Sequence, residues 1–267
     1  MTLLGWIAVG WVMMVVVMLI VWFIQRRTGD AGIVDAAWTF GVGGLGAMFA
    51  MVSRDGLWER RLIVAILVVV WATRLGGHIV QRLRTMPEDG RYQRLKAEWG
   101  ATAQRRLFRF FQFQALAAVL FAMPMLLAGQ SNSPLAILDF VGITIWVVAI
   151  ACEAISDRQL ADFRADPDRR GRVCQHGLWR YSRHPNYFFE WLQWWSYVCL
   201  AVSSPWGWLA AFAPLAMLYL LLFVTGIPPT EAQALLSRGE AYREYQRTTN
   251  SFFPWFPKPN SKGGPND

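Results

Sequence analysis

The sequence predicts an all-α fold, a polytopic integral membrane bundle of seven transmembrane helices with its N-terminus outside and its C-terminus in the cytoplasm. Three observations support this: the composition, seven long apolar stretches, and the placement of the cations. Apolar types make up 55% of the 267 residues and charged types only 16%, where a soluble domain has about 25% charged residues. This composition excludes a disordered chain.

The seven apolar stretches are each close to the roughly 20 residues that a transmembrane helix needs. The last two are separated only by residues 203–207, which predicts a tight helical hairpin. Residues 91–99 and 231–247 are predicted to form short amphipathic helices in polar loops. We therefore expect one membrane domain over residues 1–267, with cytoplasmic loops that form a polar cap. The predicted spans are 3–24, 31–52, 57–80, 109–128, 135–155, 186–204 and 205–225.

The orientation follows from the distribution of Lys and Arg. Four loops on one side of the seven-span arrangement, 25–30, 81–109, 156–185 and 226–267, hold 22 of the 26 cations. The opposite side holds three, all within 53–61. Because cytoplasmic loops carry the excess of Lys and Arg, the C-terminus is predicted to be cytoplasmic. The net charge of +8 is thereby explained, and a nucleic-acid partner is not expected.

The cysteines give no sign of a metal or disulfide framework. Cys152, Cys174 and Cys199 are odd in number, and two of them lie in apolar runs. No Cys/His cluster has the spacing of metal ligands, so no metal is expected.

One cation lies well inside a predicted span, away from both of its ends. Arg74 shares a helix face with Trp71 and His78, at spacings of three and four residues. Asp35, near the start of the second span, is the expected partner of Arg74 or His78. Two simpler interpretations stay open: Asp35 is a helix-end residue among the headgroups, or Arg74 snorkels to the cytoplasmic surface.

Three more acidic residues lie at the cytoplasmic ends of spans. Glu153 and Asp157 are one turn apart at the end of the fifth span, and Glu190 lies one turn inside the sixth. Ionisable groups at this depth usually face a bundle interior or a water-filled cavity. Together with Asp35 and Arg74, they favour a polar cavity that opens to the cytoplasm.

The loop 156–185 contains seven arginines and no lysine. Arginine is favoured where a phosphate is bound by two parallel hydrogen bonds. Trp179, Tyr181 and Tyr187 offer stacking surfaces for a flat ring, and Pro185 marks a helix start whose free N–H groups suit an anion. The alternative is a positive-inside loop with headgroup-anchoring aromatics.

The run GLWRYSRHPNYFFE at 177–190 resembles the bacterial membrane proteins related to steroid 5α-reductases (3-oxo-5-alpha-steroid 4-dehydrogenases). The ending EAYREYQR…FPW at 240–255 matches that family as well, and the similarity is good from Glu153 to Trp255. The resemblance implies an oxidoreductase of the bacterial inner membrane that uses NADPH to reduce the Δ4 double bond of a 3-oxo-Δ4 steroid or a similar lipophilic enone. Hydride would pass to C5 while the carbonyl is polarised. The partners expected are this substrate and the bilayer; a monomer is favoured.

The resemblance also implies the cofactor-binding residues. Arg164 and Arg172 suit phosphate oxygens, and Asn186 and Glu190 suit the nicotinamide carboxamide or ribose. The full predicted set is Glu153, Asp157, Arg164, Arg172, Tyr181, Arg183, His184, Asn186, Tyr187, Glu190, Tyr242 and Tyr245.

The predicted catalytic residues are Asp35, Trp71, Arg74 and His78. Related reductases hold the steroid carbonyl with a Gln-Glu pair in the second span and a Tyr in the third. Here Asp35 takes the acidic position and Trp71 the position of the Tyr. An indole N–H donates a hydrogen bond but is a poor proton source, so the general acid is left open among Asp35, His78 and Trp71.

A methyltransferase is the main alternative, because isoprenylcysteine carboxyl methyltransferases share the RHPNYxxE run and use S-adenosylmethionine. That sulfonium nucleoside carries no phosphate, whereas residues 158–172 hold five arginines. A transporter would show paired broken helices or an internal repeat, and neither is evident.

Overall fold

The computed structural model describes residues 2–53 and 56–259. Within these ranges the regular secondary structure is helical throughout. Four short 3-10 turns and one π-helical turn (Leu220–Val224) connect the α-helices. The α-helices are α1 (Leu3–Thr28), α2 (Ile33–Val52), α3 (Trp58–Thr85), α4 (Gly90–Trp99), α5 (Ala103–Gly129), α6 (Ile137–Ala165), α7 (Pro185–Ala201), α8 (Phe212–Tyr219) and α9 (Ile227–Thr248).

Six helical segments of the described chain are long and apolar enough to cross a membrane, and they coincide with six of the seven predicted spans. These segments are Leu3–Thr28, Ile33–Val52, Trp58–Thr85, Gly90–Gly129, Ile137–Ala165 and Gly207–Thr248. The remaining predicted span, 186–204, folds as α7, which has 17 residues. At 1.5 Å per residue α7 is about 26 Å long, slightly less than the hydrocarbon core of a bilayer. The helix content is that of an integral membrane protein, and the count of seven spans stays a prediction.

Other local predictions are confirmed. Residues 91–99 fold as α4, and 231–247 lie within α9, which begins next to a Pro-Pro pair and is interrupted at Gly239 (φ +53°). The tight connection over 203–207 is a turn. A Cβ at Gly207 would lie 1.8 Å from the carbonyl oxygen of Ala201, so only glycine allows it.

The chain divides into two compact units, and α6 and α7 each contribute to both. Unit 1 comprises residues 1–142 and 197–213, and in it α2 packs against α1, α3 and α5. The approach of α2 to α3 is close, because a Cβ at Gly43 would lie 2.3 Å from the Cβ of Ala72. Small residues at such crossings let helix backbones approach each other in membrane proteins.

Two arginines at the start of α3 bind helix ends within unit 1. Arg60 is completely buried against Asp139 and donates to the carbonyl of Leu200 at 2.9 Å. Arg61 donates to the carbonyl of Ala50 at 3.3 Å. Carbonyls at helix C-termini lack intrahelical donors, so these guanidinium groups satisfy them. The third cation of this loop, Arg54, lies outside the described residues.

Unit 2 comprises residues 143–196 and 214–267, and in it the segment before α7 is joined to the chain after α9. The amide of Arg183 donates to the carbonyl of Asn250 at 2.9 Å, and that of Trp255 to the carbonyl of Tyr181 at 2.9 Å. The rings of Phe188 and Phe252 meet edge to face. These contacts fix the 177–190 motif against the C-terminal part of the chain.

Candidate functional site

The predicted site residues fall into two groups. The catalytic set of Asp35, Trp71, Arg74 and His78 lies in unit 1, whereas the twelve predicted cofactor residues all lie in unit 2. Each group is described by itself.

The centre of the unit 2 group is a polar stripe on α7, formed by Asn186, Glu190 and Gln193. Spacings of four and three residues place these side chains on one face of the helix. Glu190 is 9% exposed and Gln193 0% exposed. The indole N–H of Trp194 donates to Oε1 of Glu190 at 3.0 Å. Burying polar side chains such as Glu190 and Gln193 in an apolar environment costs free energy, so this stripe is a candidate functional site in a membrane protein.

The C-terminal half of α6 contributes acidic residues to the same unit. Asn186 donates through Nδ2 to Oδ1 of Asp157 at 3.2 Å. Glu153, one turn earlier, is buried. The indole of Trp179 donates to the carbonyl of Ser156 at 2.9 Å. The structure thus brings the predicted residues Asp157 and Asn186 together and packs the start of the motif on α6.

Glu231 of α9 joins several motif residues. Its Oε1 accepts from Nε of Arg183 at 2.6 Å and contacts Nε2 of His184 at 3.2 Å, while Oε2 accepts from Gln246 at 2.7 Å. The hydroxyl of Tyr242 donates to Oε1 at 3.4 Å. Arg183 and His184 are therefore engaged with protein groups, which favours a role in positioning the neighbouring motif residues.

The charge states of Glu231 and His184 follow from their contacts. Glu231 lies outside the predicted span 205–225. Burial acts to raise the pKa of Glu231, but hydrogen bonds from His184 and Arg183, together with the charge of Arg183, lower it to about 2. Burial lowers the pKa of His184, although Glu231 opposes this. At neutral pH the cluster holds an ionised Glu231 and a neutral His184.

The predicted tyrosines hold the motif in place. The buried hydroxyl of Tyr245 donates to the carbonyls of Trp179 and Ser182. The ring of Tyr187 stacks on His184 with centroids 5.3 Å apart. Tyr181 meets the ring of Phe256 edge to face at 5.9 Å. These contacts fix the motif to the last part of the chain, and a direct role in cofactor binding stays a prediction for each tyrosine.

The arginines of 158–180 are exposed. Arg158 lies 3.8 Å from Asp162, and Arg169 lies 2.8 Å from Asp166. Among the described arginines of this segment, Arg170, Arg172 and Arg180 have no carboxylate of the described chain within ion-pair distance. These three guanidinium groups are available to an anion from solution, and Arg172 is among the predicted phosphate ligands.

In unit 1, the carboxylate of Asp35 binds to α4. Oδ1 accepts from the hydroxyl of Tyr92 at 2.6 Å, and Oδ2 accepts from Arg91 at 3.2 Å. The expectation that Arg74 or His78 would be its partner is therefore corrected. The reason is that α4 folds back onto the start of α2, where Glu88 also accepts from the amide of Ala31 at 2.8 Å.

The indoles of α2 and α3 form the other part of the unit 1 group. Trp71 is fully buried and lies edge to face with Trp38, with centroids 6.5 Å apart. The indole nitrogen of Trp38 is buried and has no hydrogen-bond partner among the described residues. Arg74 is half-buried and His78 is exposed. Trp38 thus adds an unused donor beside the predicted Trp71.

A sequence profile of the family described as "Protein of unknown function (DUF1295)" matches residues 21–249. The chain belongs to the DUF1295 family. No curated protein and no solved structure matches it. The matched range of this DUF1295 chain includes both groups of site residues.

Sequence reasoning missed several residues of these groups. Three of them lie in segments that the sequence predicts to be polar and solvent-exposed: Arg91, Tyr92 and Glu231. Nothing in the neighbouring sequence indicates which residues they would contact. Trp38 lies three residues after Asp35, and Gln193 three after Glu190. This helical spacing places each beside a predicted residue and is the signal that identifies them.

Proposed function

We propose that this DUF1295 chain is an integral membrane, NADPH-dependent oxidoreductase that reduces the Δ4 double bond of 3-oxo-Δ4 steroids or of similar lipophilic enones. The observation that carries the proposal is the combination found in unit 2. Exposed arginines without carboxylate partners in the described chain precede a helix that bears the polar stripe of half-buried Asn186 and buried Glu190 and Gln193. The similarity of the 177–190 run to the steroid 5α-reductase family supports the same function.

The exposed arginines fit the phosphates of NADPH. Arg170, Arg172 and Arg180 are guanidinium groups without carboxylate partners in the described chain. A planar guanidinium binds phosphate with two parallel hydrogen bonds. NADPH carries one phosphate more than NADH, and a surplus of unpaired arginines favours the more highly charged nucleotide.

The polar stripe of α7 fits the nicotinamide end. A carboxylate and two carboxamides offer both donors and acceptors to the ring carboxamide and the ribose hydroxyls. Asp157 orients Asn186 through the 3.2 Å hydrogen bond, and Trp194 orients Glu190. Such supporting contacts hold binding groups in one geometry.

For the substrate, the proposal assigns carbonyl polarisation to unit 1. NADPH, when bound, supplies the hydride for C5 of the enone. Charge then develops on the carbonyl oxygen, and a preorganised donor at that atom lowers the barrier by a few kcal/mol. A proton from solvent adds at C4 and completes the reduction. Buried indole N–H groups such as those of Trp38 and Trp71 suit this role, and a water-poor bundle interior strengthens them. Asp35 is held by Tyr92 and Arg91 in the same unit.

The proposal includes seven spans, an outside N-terminus and a cytoplasmic C-terminus, in a bacterial inner membrane. The loop asymmetry of Lys and Arg supports this orientation. The 53–61 loop, on the opposite side, has three cations. Two of these, Arg60 and Arg61, bind carbonyls at helix ends, so their position is explained by helix packing. The proposed activity needs one copy of the chain, and we propose a monomer.

The test is nucleotide binding to the purified protein in lipid nanodiscs. We expect NADPH to bind at least tenfold more tightly than NADH. This ratio corresponds to roughly the free energy of one charge-assisted hydrogen bond to the additional phosphate. Arg172→Ala should weaken NADPH binding and leave NADH binding nearly unchanged. Arg94→Ala removes one charge from an exposed pair with Glu98 and serves as the control. Binding of S-adenosylmethionine in place of NADPH would overturn the proposal in favour of a methyltransferase.

A further inference from the structure

The side chain of Gln193 is buried without a hydrogen-bond partner. Its exposed fraction is 0%, and neither Oε1 nor Nε2 has a partner among the described residues. Burying an amide without partners is unfavourable, because the hydrogen bonds that it makes to water are lost. An amide with both atoms unused is a departure from the rule that buried polar groups are paired.

Most other polar side chains of α7 in unit 2 have partners, and the indole nitrogen of Trp195 is an exception. The carbonyl of Gln193 accepts from Oγ of Ser196 at 2.6 Å. Glu190, one turn earlier on the same face, accepts from Trp194. On another face, the indole of Trp191 donates to the carbonyl of Pro214 at 3.1 Å. Among the amide and carboxylate side chains of the described α7, Gln193 is thus the one with both polar atoms unpaired, since Asn186 and Glu190 each have hydrogen bonds.

The chemistry of the amide defines what it can bind. Its oxygen accepts and its nitrogen donates, so a ligand that satisfies both must present a donor and an acceptor side by side. A ketone or ether oxygen would satisfy the nitrogen alone. A carboxamide presents both groups and forms two parallel N–H···O hydrogen bonds with a glutamine side chain.

We propose that Gln193 binds the carboxamide of a ligand. This inference rests on the proposed function, in which that ligand is the nicotinamide nucleotide. It adds to the predicted set a residue that neither the sequence motif nor the family match assigns. Asn186 and Glu190 lie on the same face of α7 and bind the neighbouring parts of the nicotinamide half.

The test compares NADP⁺ with its 3-acetylpyridine analogue, in which a methyl ketone replaces the carboxamide. Wild-type protein should bind NADP⁺ about tenfold more tightly than the analogue, which is the effect of one hydrogen bond. Gln193→Leu should bind the two equally. Gln193→Met, with an unbranched side chain of similar length, provides a second apolar variant if the first folds poorly.

A second readout needs no nucleotide. Because the amide is unpaired, Gln193→Leu should raise the melting temperature of the ligand-free protein. Gln25→Leu is the control, since Gln25 is also a buried glutamine, 1% exposed, but lies on α1 in unit 1. This control should leave the preference for NADP⁺ over the analogue unchanged.

The outcomes separate the two proposals. If the wild type prefers NADP⁺ and Gln193→Leu keeps that preference, the role of Gln193 is refuted and the reductase function stands. If the wild type binds neither nucleotide, the proposed function fails. The melting temperature of Gln193→Leu then tests the role of Gln193 independently. A lower melting temperature in Gln193→Leu would then show a structural hydrogen bond and overturn the inference, whereas a higher one would support a different carboxamide ligand.

Discussion

The guanidinium of Arg60 and the carboxylate of Asp139 form an ion pair from which solvent is excluded, with side chains 0% and 4% exposed. Nη2 of Arg60 donates to Oδ2 of Asp139 at 2.9 Å, and the amide of Ala136 donates to the same oxygen at 2.8 Å. Arg60 also donates to the carbonyl of Leu200. One buried pair thus joins the start of α3, the start of α6 and the end of α7 within unit 1.

Breaking this pair should destabilise the protein strongly. Asp139→Ala leaves a buried guanidinium without its counter-charge, and we expect a loss of roughly 3–5 kcal/mol in the free energy of unfolding. The double variant Arg60→Met with Asp139→Leu removes both charges and should recover most of that loss. Denaturant unfolding in mixed micelles measures all three proteins.

The control for this prediction is the exposed pair of Arg94 and Glu98, with side chains 64% and 52% exposed. Glu98→Ala should cost no more than about 0.5 kcal/mol, as is usual for exposed helix pairs. Equal losses for Asp139→Ala and Glu98→Ala would contradict the assignment of Arg60 and Asp139 as a buried pair.

Acid should destabilise the cluster around Glu231. The folded-state pKa of Glu231 is about 2, below the ordinary value of 4.5, so its contribution is complete above pH 4.5 and is lost as the pH falls towards 2. The pKa of His184 is also lowered. His184 is therefore neutral in the folded state, and its contribution to the stability of the folded protein begins to fall as the pH drops below 6.5. Stability should thus decrease from pH 7 to pH 4, as measured by unfolding at each pH.

The matched variant for the pH experiment is Glu231→Gln. It keeps the shape of the side chain and the contact with Gln246 but removes the charge that pairs with Arg183. We expect this variant to be less stable at pH 7 and to show a weaker decrease between pH 4.5 and pH 4. An unchanged pH profile would show that Glu231 does not contribute to the acid sensitivity.

Substitution of Asp35 should separate catalysis from cofactor binding. Asp35→Leu removes the group that holds Tyr92 and Arg91. We expect turnover of a 3-oxo-Δ4 steroid to be abolished while NADPH still binds, and Asp35→Asn to retain part of the activity. Steady-state reduction and NADPH binding are measured on the same preparations. Near wild-type turnover in Asp35→Leu would exclude a role for Asp35 in carbonyl activation.

Two further variants test the proposed role of unit 1 in polarising the substrate carbonyl. Tyr92→Phe removes one hydrogen bond to Asp35 and should lower kcat less than Asp35→Leu does. Trp38→Phe removes the buried indole donor that has no protein partner in the described chain. If that donor serves the carbonyl oxygen, kcat should fall by about 10²-fold with little change in NADPH binding.

The orientation can be tested by cysteine labelling in a background without Cys152, Cys174 and Cys199. Asn132 and Arg170 are both exposed and lie in loops predicted on opposite sides of the membrane. In intact cells, a membrane-impermeant maleimide should label Asn132→Cys and should label Arg170→Cys only after permeabilisation. The reverse pattern would invert the proposed topology.

The helical membrane character of the chain was predictable because it depends on local patterns. An apolar run of about 20 residues is sufficient to specify a spanning helix, and six of the seven predicted runs fold as long apolar helices. The polar helices at 91–99 and 231–247 were equally predictable, since amphipathic spacing is also local. The residues of the 177–190 motif predict a site, whereas the roles of its members were assigned by resemblance, and both stay predictions.

The partners of the charged residues were decided by the tertiary structure. Asp35 is bound by Arg91 and Tyr92, 56 and 57 residues away, because α4 folds back onto the start of α2. Arg60 meets Asp139 from 79 residues away. An ion pair forms between whichever helix ends meet in space, and helical periodicity gives the face of a residue but not the helix opposite it. The sequence by itself therefore determined where the helices lie along the chain. Only their packing determined which polar groups are paired and left the Gln193 side chain buried without a partner in the described part of the chain.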